Sequence, residues 1–185
     1  MAVIVSLLRG VNIGGHNKIK MDALRSLYES LKVRDVQTFI QSGNVVFRTS
    51  QRDMGKLARL IEDAIEQEFG FRPAVILRTS DELRGVLARN PFAGRTGLDP
   101  AKLAIHFLAA DPGAEARARV LAIKTAPEEL CIDGRELFTY FPNGMGRPNL
   151  NWAAVERALK TPATGRNLNS VTKLLEIAET LETSK

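Results

Sequence analysis

Cysteine, histidine and aromatic side chains are scarce in this chain. A single cysteine, Cys131, excludes an internal disulfide and any metal site built on several thiolates, and it fits a reducing compartment. Two histidines, His16 and His106, leave little material for imidazole chemistry. No H-x-x-x-H, C-x-x-C or EF-hand spacing occurs, so no dedicated metal site is expected. G-x-S-x-G, G-x-G-x-x-G and P-loop patterns are also missing. No apolar run approaches the ~18 residues of a membrane span. Val3–Leu8 is apolar but follows Met1 too closely, with no basic segment before it, and reads as a first strand rather than a signal peptide. These absences predict a cytoplasmic protein with no membrane partner, no metal and no cofactor.

What is present is an ordinary globular mix, 44% apolar and 25% charged over 185 residues, enough for two small halves. The net charge of +5 is uneven. Residues 1–50 carry seven Lys/Arg against three Asp/Glu, and residues 141–175 carry five against one. Two sequence-distant stretches thus hold the positive excess. An anionic partner is one reading, solubility the other.

Hydrophobic periodicity gives the elements. After Val3–Leu8 comes a loop, Arg9–Lys20, with three glycines. Met21, Leu24, Leu27, Tyr28 and Leu31 repeat at helical spacing. Strands follow at Val36–Ile40 and Val45–Arg48, joined by the turn signal Ser42-Gly43-Asn44. Ser50 and Asp53 have capping-box spacing before an amphipathic helix that Gly70 closes, and Ala74–Arg78 is the next strand. The order β-α-β-β-α-β is that of ferredoxin-like folds. A connecting helix begins at a second capping box, Thr79 and Glu82, and Phe92–Pro100 reads as a linker.

The order then recurs. It runs through strand Leu103–Leu108, a helix over Glu115–Ile123 behind Asp111-Pro112, and a hairpin turning at Asp133-Gly134. A helix around Trp152, Val155 and Leu159, capped by Asn149 or Asn151, leads to a short strand at Thr161–Gly165. A C-terminal helix follows, capped by Asn167 or Asn169. The expectation is an α+β protein of two ferredoxin-like halves with antiparallel sheets, residues 1–79 and 101–185, joined by 80–100. Only the order of elements repeats; no residue-level repeat is visible.

In this topology the loop after the first strand and the tip of the first hairpin lie at one end of the sheet. Arg9, Asn12, Gly14, Gly15 and Lys18 should therefore converge with Gln41, Ser42 and Asn44. The arginine offers a planar fork of donors, the glycines allow close backbone approach, and Lys18 and Lys20 add charge just before a helix N-terminus. Arg166, Asn167, Asn169 and Lys173 open the last helix and form a second anion-site candidate. Each group also has an ordinary use: glycines serve turns, asparagines cap helices, arginines pair with carboxylates. His16 is a candidate acid or base, and His106, inside a strand, reads as a sheet histidine. The loop Asn143–Asn149 is a candidate lid.

Leu7-Leu8-Arg9-Gly10-Val11-Asn12-Ile13-Gly14-Gly15, Lys18 to Met21, and Gln41-Ser42-Gly43-Asn44-Val45 resemble an uncharacterised bacterial family, the domain of unknown function numbered 1697. Arg166-Asn167-Leu168-Asn169-Ser170-Val171 resembles its closing motif, with Leu168 and Ser170 where the motif carries Trp and Thr. The resemblance implies a repeated ferredoxin-like fold and no activity.

Three functions fit the residues. The first is binding of a phosphate-bearing ligand, a nucleotide or nucleic acid. RNA on the sheet face is disfavoured, since the first strand has no aromatic and the third only Phe47, whereas a stacking platform needs two or three. The second is a small enzyme clamping an anionic metabolite between Arg9 and Arg166. The third is a protein-interaction or homo-oligomeric module.

Overall fold

The computed structural model describes residues 1–146 and 148–184. The chain divides into two compact units, Met1–Arg84 together with the chain from Lys173 onward, and Gly85–Thr172.

The first unit runs β1 (Ala2–Leu8), α1 (Met21–Ser30), β2 (Arg34–Phe39), β3 (Asn44–Thr49), α2 (Met54–Phe69) and β4 (Val75–Thr79). Its antiparallel sheet has the order β2-β3-β1-β4. β1 is buried from Val3 to Leu8, as a mostly apolar run broken only by Ser6 requires. Ile4, Leu8, Val45, Phe47, Val75 and Leu77 form one sheet face under Leu24 and Tyr28 of α1 and Leu57, Ile61 and Ile65 of α2. Each of these large side chains contributes about 1.5–3 kcal/mol by leaving water. Ser6, on the same face, exchanges a 2.8 Å hydrogen bond with the Tyr28 hydroxyl. Burial pushes the Tyr28 phenol well above its usual range. Asp53, not Ser50, caps α2, accepting from the Lys56 N–H at 2.9 Å, and Gly70 closes that helix at φ 77°.

The second unit repeats the plan with β5 (Leu103–Leu108), α4 (Gly113–Leu121), β6 (Glu129–Asp133), β7 (Glu136–Tyr140), α5 (Trp152–Leu159) and β8 (Ala163–Asn167), in the order β6-β7-β5-β8. Ala104, Leu108 and Leu137 pack against Val120 of α4 and Val155 and Leu159 of α5. Both halves are ferredoxin-like, as the order of elements predicts. Local boundaries differ. The last strand sits two residues later than Thr161–Gly165, and Asn151 caps α5 while Asn167 caps the final helix. The β6–β7 turn residues are Gly134 and Arg135, because Asp133 pairs with Glu136. Of these two only Gly134 has positive φ, the signature of a type II′ turn rather than type I′.

Two further helices are α3 (Ser80–Ala88) and α6 (Leu168–Thr183). The Thr79–Glu82 capping box is formed in both directions, at 2.8 and 3.1 Å. The end of α6 packs with the first unit rather than the second. Arg48 donates to the carbonyls of Leu181 and Ser184, Ser80 bonds Glu182, and Arg84 pairs with Glu179 and Glu182. The connection 143–149 contains Arg147, which lies outside the described residues, so the lid expectation there falls partly outside them.

Candidate functional site

The Arg9–Lys20 loop and the β2–β3 tip meet at one end of the first sheet. Leu7 pairs with Asn44, and the Leu8 N–H donates to the Gly43 carbonyl at 2.9 Å. Gly43 makes the approach possible. Its φ is +73°, and a Cβ there would lie 2.9 Å from the Leu8 Cβ and 3.3 Å from the Val11 Cβ.

Asn12 fastens the two segments. Its Nδ2 donates to the carbonyls of Gln41 at 2.7 Å and Ile19 at 3.0 Å, and its Oδ1 accepts from the Ile19 N–H at 2.9 Å. Asn17 Nδ2 donates to the Gly10 carbonyl at 3.1 Å. The loop is thus held by its own amides. Asn12 is a fastener whose two amide protons are both engaged, which removes it as a ligand donor. Asn44 is corrected in the same way. It is fully buried, and its amide donates to the Phe39 carbonyl and the Ser42 hydroxyl. Ser42 is half-buried beside it. Phe47 is buried in the core, so the third strand offers no aromatic stacking face.

The remaining loop residues face outward. Arg9, Gly14, Gly15, His16, Lys18, Lys20 and Gln41 are exposed. From Arg9 to Met21 there is no carboxylate. Lys18 and Lys20 flank Ile19, which is buried at 3%. In an extended segment alternate side chains oppose one another, so burying Ile19 turns both lysines to solvent. Asn12, Gly15, Lys18, Ile19, Lys20, Met21, Asp22 and Gln41 line a cleft of about 880 Å³. Among the described residues the side chains of Lys18, Lys20 and Asp22 form no hydrogen bond or ion pair. The cleft lies at the N-terminus of α1, which has no side-chain cap. Lys20, whose charge beside the helix the sequence already marks, lines this cleft, and so does Asp22, which reads in sequence only as a first-turn acid.

A second depression of about 470 Å³, lined by Arg48, Ser80, Asp81 and Glu182, differs in kind. Arg48 there is paired with Asp35 at 3.2 Å and donates to two carbonyls, so its charge is already answered within the fold.

Arg166 is not an open clamp. It is 8% exposed, and its Nη1 donates to the Thr164 hydroxyl and the Gly165 carbonyl, each at 2.8 Å. Burial lowers its pKa to about 10. Its position on β8 matches Arg78 on β4, also buried, whose Nη1 donates to the Leu77 carbonyl at 2.9 Å. The next residues match too. Thr79 accepts from the Glu82 N–H and Asn167 from the Ser170 N–H at 2.8 Å. The halves therefore share a strand-end arginine followed by a helix cap, a residue-level repeat the sequence did not disclose. A residue present in the same role in both halves is part of the fold. Asn169 is exposed on the first turn of α6.

His106 is half-buried as a residue, but both ring nitrogens are sealed and, among the described residues, without a hydrogen-bond partner. The ring lies against Trp152, centroids 4.2 Å apart. Burial, then the charge of Arg166, lowers its pKa to about 3. Among the described residues no three His, Cys, Asp or Glu side chains are grouped to hold a metal ion, and no helix is long and apolar enough to cross a membrane.

Residues 1–138 match the family described as "Protein of unknown function (DUF1697)". The chain belongs to the DUF1697 family. No curated protein matches it. Among solved structures, this DUF1697 chain is similar to "conserved bacterial protein SP0830 from Streptococcus pneumoniae", with a TM-score of 0.71 at 22% identity over 96% of this chain and 98% of that one. At that identity the likeness shows a shared fold.

Proposed function

We propose that the first unit of this DUF1697 protein binds a phosphate-bearing ligand, a nucleotide or nucleic acid, in the cleft between the Arg9–Lys20 loop and the β2–β3 tip. The observation that carries the reading is that Lys18 and Lys20 line one open cleft with no carboxylate among the described residues paired to either. An uncapped helix N-terminus at the same place favours an anion further. The two-arginine clamp loses support, since Arg166 is buried and engaged.

A thermal-shift screen of nucleotides and phosphorylated metabolites at low salt tests this. A ligand at a hundred times its Kd stabilises by about 2.7 kcal/mol. The shift should vanish in the Lys18→Ala/Lys20→Ala double variant and shrink as salt rises. Gel mobility of single- and double-stranded DNA and RNA at two salt levels separates polymer from monomer binding. No response to any phosphate-bearing probe, or an unchanged response in the double variant, removes the proposal.

A further inference from the structure

The cleft holds charges of both signs that do not neutralise each other. Lys18, Lys20 and Asp22 all line it, yet no lysine–carboxylate pair forms, and the Asp22 carboxylate has no hydrogen-bond donor among the described residues. Elsewhere in the chain, carboxylates near cations pair with them, as in Arg25–Glu29, Arg95–Glu129 and Arg119–Glu115. Gln41 adds an exposed side-chain amide to the lining. The cleft therefore presents cations and, separately, an acceptor-only group.

A bare phosphate or a run of DNA backbone answers the lysines alone. It offers Asp22 nothing but further negative charge. A ligand that satisfies the whole set carries a phosphate and, a few ångströms away, neutral hydroxyl donors. A carboxylate taking the hydroxyls of a ribose is an established way of reading a sugar beside its phosphate.

Resting on the phosphate-binding reading above, we infer that the ligand is a phosphate ester bearing a vicinal diol, such as a ribonucleoside monophosphate or a pentose phosphate, and that Asp22 is the residue that selects the diol. Lys18 and Lys20 take the phosphate; Asp22 accepts from the hydroxyls. An acidic residue in a first helical turn is also favoured by the helix dipole. The two roles part in their consequences. A carboxylate present only for the helix repels the ligand's phosphate, so neutralising it strengthens binding of every phosphate equally.

Calorimetric titration decides between them, using the four ribonucleoside 5′-monophosphates, their 2′-deoxy counterparts, ribose 5-phosphate and inorganic phosphate. Wild-type protein is expected to bind at least one diol-bearing probe about tenfold tighter than its deoxy counterpart and than inorganic phosphate. Asp22→Asn should abolish that discrimination while leaving affinity for the deoxy probe and inorganic phosphate within about threefold, with the thermal midpoint recording that the fold is intact. Lys18→Ala/Lys20→Ala should weaken all probes together. Equal wild-type affinity for ribo and deoxy forms, or uniformly tighter binding in Asp22→Asn, overturns the selection role and leaves the phosphate site standing. If no probe binds wild-type protein, the phosphate-binding proposal fails and this inference falls with it.

Discussion

The two halves close the same end of their sheets with different material. In the first, the Leu8 N–H donates to Gly43 and the Arg9 N–H to Ala74, each at 2.9 Å; in the second, Leu108 donates to Arg135 at 2.8 Å and Ala109 to Pro162 at 2.9 Å. The scaffold bonds correspond one for one. What hangs from them does not. The first half inserts the whole Arg9–Lys20 loop between strand and helix, with exposed cations and a cleft. The second passes from Leu108 to Gly113 in a tight turn. There Asp111 accepts from the Gly113 N–H at 2.8 Å and pairs with Arg117 at 2.6 Å, and Arg117 also donates to the Gly134 carbonyl. The fold needs only the short version. The longer loop is therefore the elaborated edge, and that is why the functional reading is placed there.

The same comparison isolates an unusual core group. Ser6 and His106 occupy equivalent positions on β1 and β5, facing the helices. Ser6 is satisfied by Tyr28; neither nitrogen of His106 has a partner among the described residues. Across the sheet Ser6 faces Leu77, whereas His106 faces Gly165, where an added Cβ would lie 2.6 Å from Nδ1. The largest expected effect follows from this site. The His106 pKa is lowered from 6.5 to about 3 in the folded chain, so between those values the unfolded chain binds the extra proton. Stability from this group is complete above pH 6.5 and is lost as pH falls toward 3, about 3 kcal/mol of it between pH 7 and pH 4. Urea unfolding followed by the fluorescence of Trp152, the single tryptophan, should show that loss. The His106→Phe variant should show a correspondingly flatter acid limb. Equal acid sensitivity in both would mean that carboxylates, not this imidazole, set the pH response.

The hairpin tips sharpen the contrast at intermediate size. Gly43 and Gly134 both have positive φ, but a Cβ on Gly134 would meet nothing within 4 Å, while one on Gly43 would strike Leu8 and Val11. Gly134→Ala should cost about 1 kcal/mol, the backbone penalty alone. Gly43→Ala adds overpacking against buried residues and should cost about 2–3 kcal/mol. It should also weaken any phosphate response, since the loop and the tip share the Asn12 fastening. Denaturant midpoints of the two variants measure the difference; equal losses would show that the loop and the tip are not tightly apposed.

How much of this was readable follows physical lines. Strand order and the meeting of loop and tip came from hydrophobic period and chain topology, both of which are local patterns with one topological consequence. The Thr79–Glu82 box was readable because reciprocal capping has a fixed spacing. Asn12, Asn44 and Arg166 read in sequence as ligand donors, and their internal bonds are invisible there, because a polar side chain looks the same whether it bonds the backbone or points at solvent. Only coordinates show that Asn44 is fully buried. The arginine repeat is invisible in sequence because Leu77-Arg78-Thr79 and Gly165-Arg166-Asn167 share one residue type, and their likeness lies in geometry. Gly165 reads in sequence as the last residue of a short strand, yet it sits inside β8, where the missing Cβ makes room for an imidazole.

The smallest expected effect tests whether the short edge stands without its ion pair. The Arg117 side chain is 30% exposed and Asp111 55%, so solvent screens their attraction, and such pairs contribute about 0–1 kcal/mol. The Asp111 carboxyl is held below its usual range first by the Gly113 N–H and only then by Arg117. The Arg117 Nε, moreover, is buried without a partner among the described residues, a cost that an apolar side chain of similar length removes. Arg117→Met should therefore change stability by less than about 1 kcal/mol in a denaturant midpoint, and it should leave the response to phosphate probes as it was. A loss well beyond that would mean that the ion pair, rather than the backbone bonds shared by both halves, closes the second edge. The two ends would then differ in how they are held together, and the extra loop of the first could no longer be set apart as an addition the fold does not require.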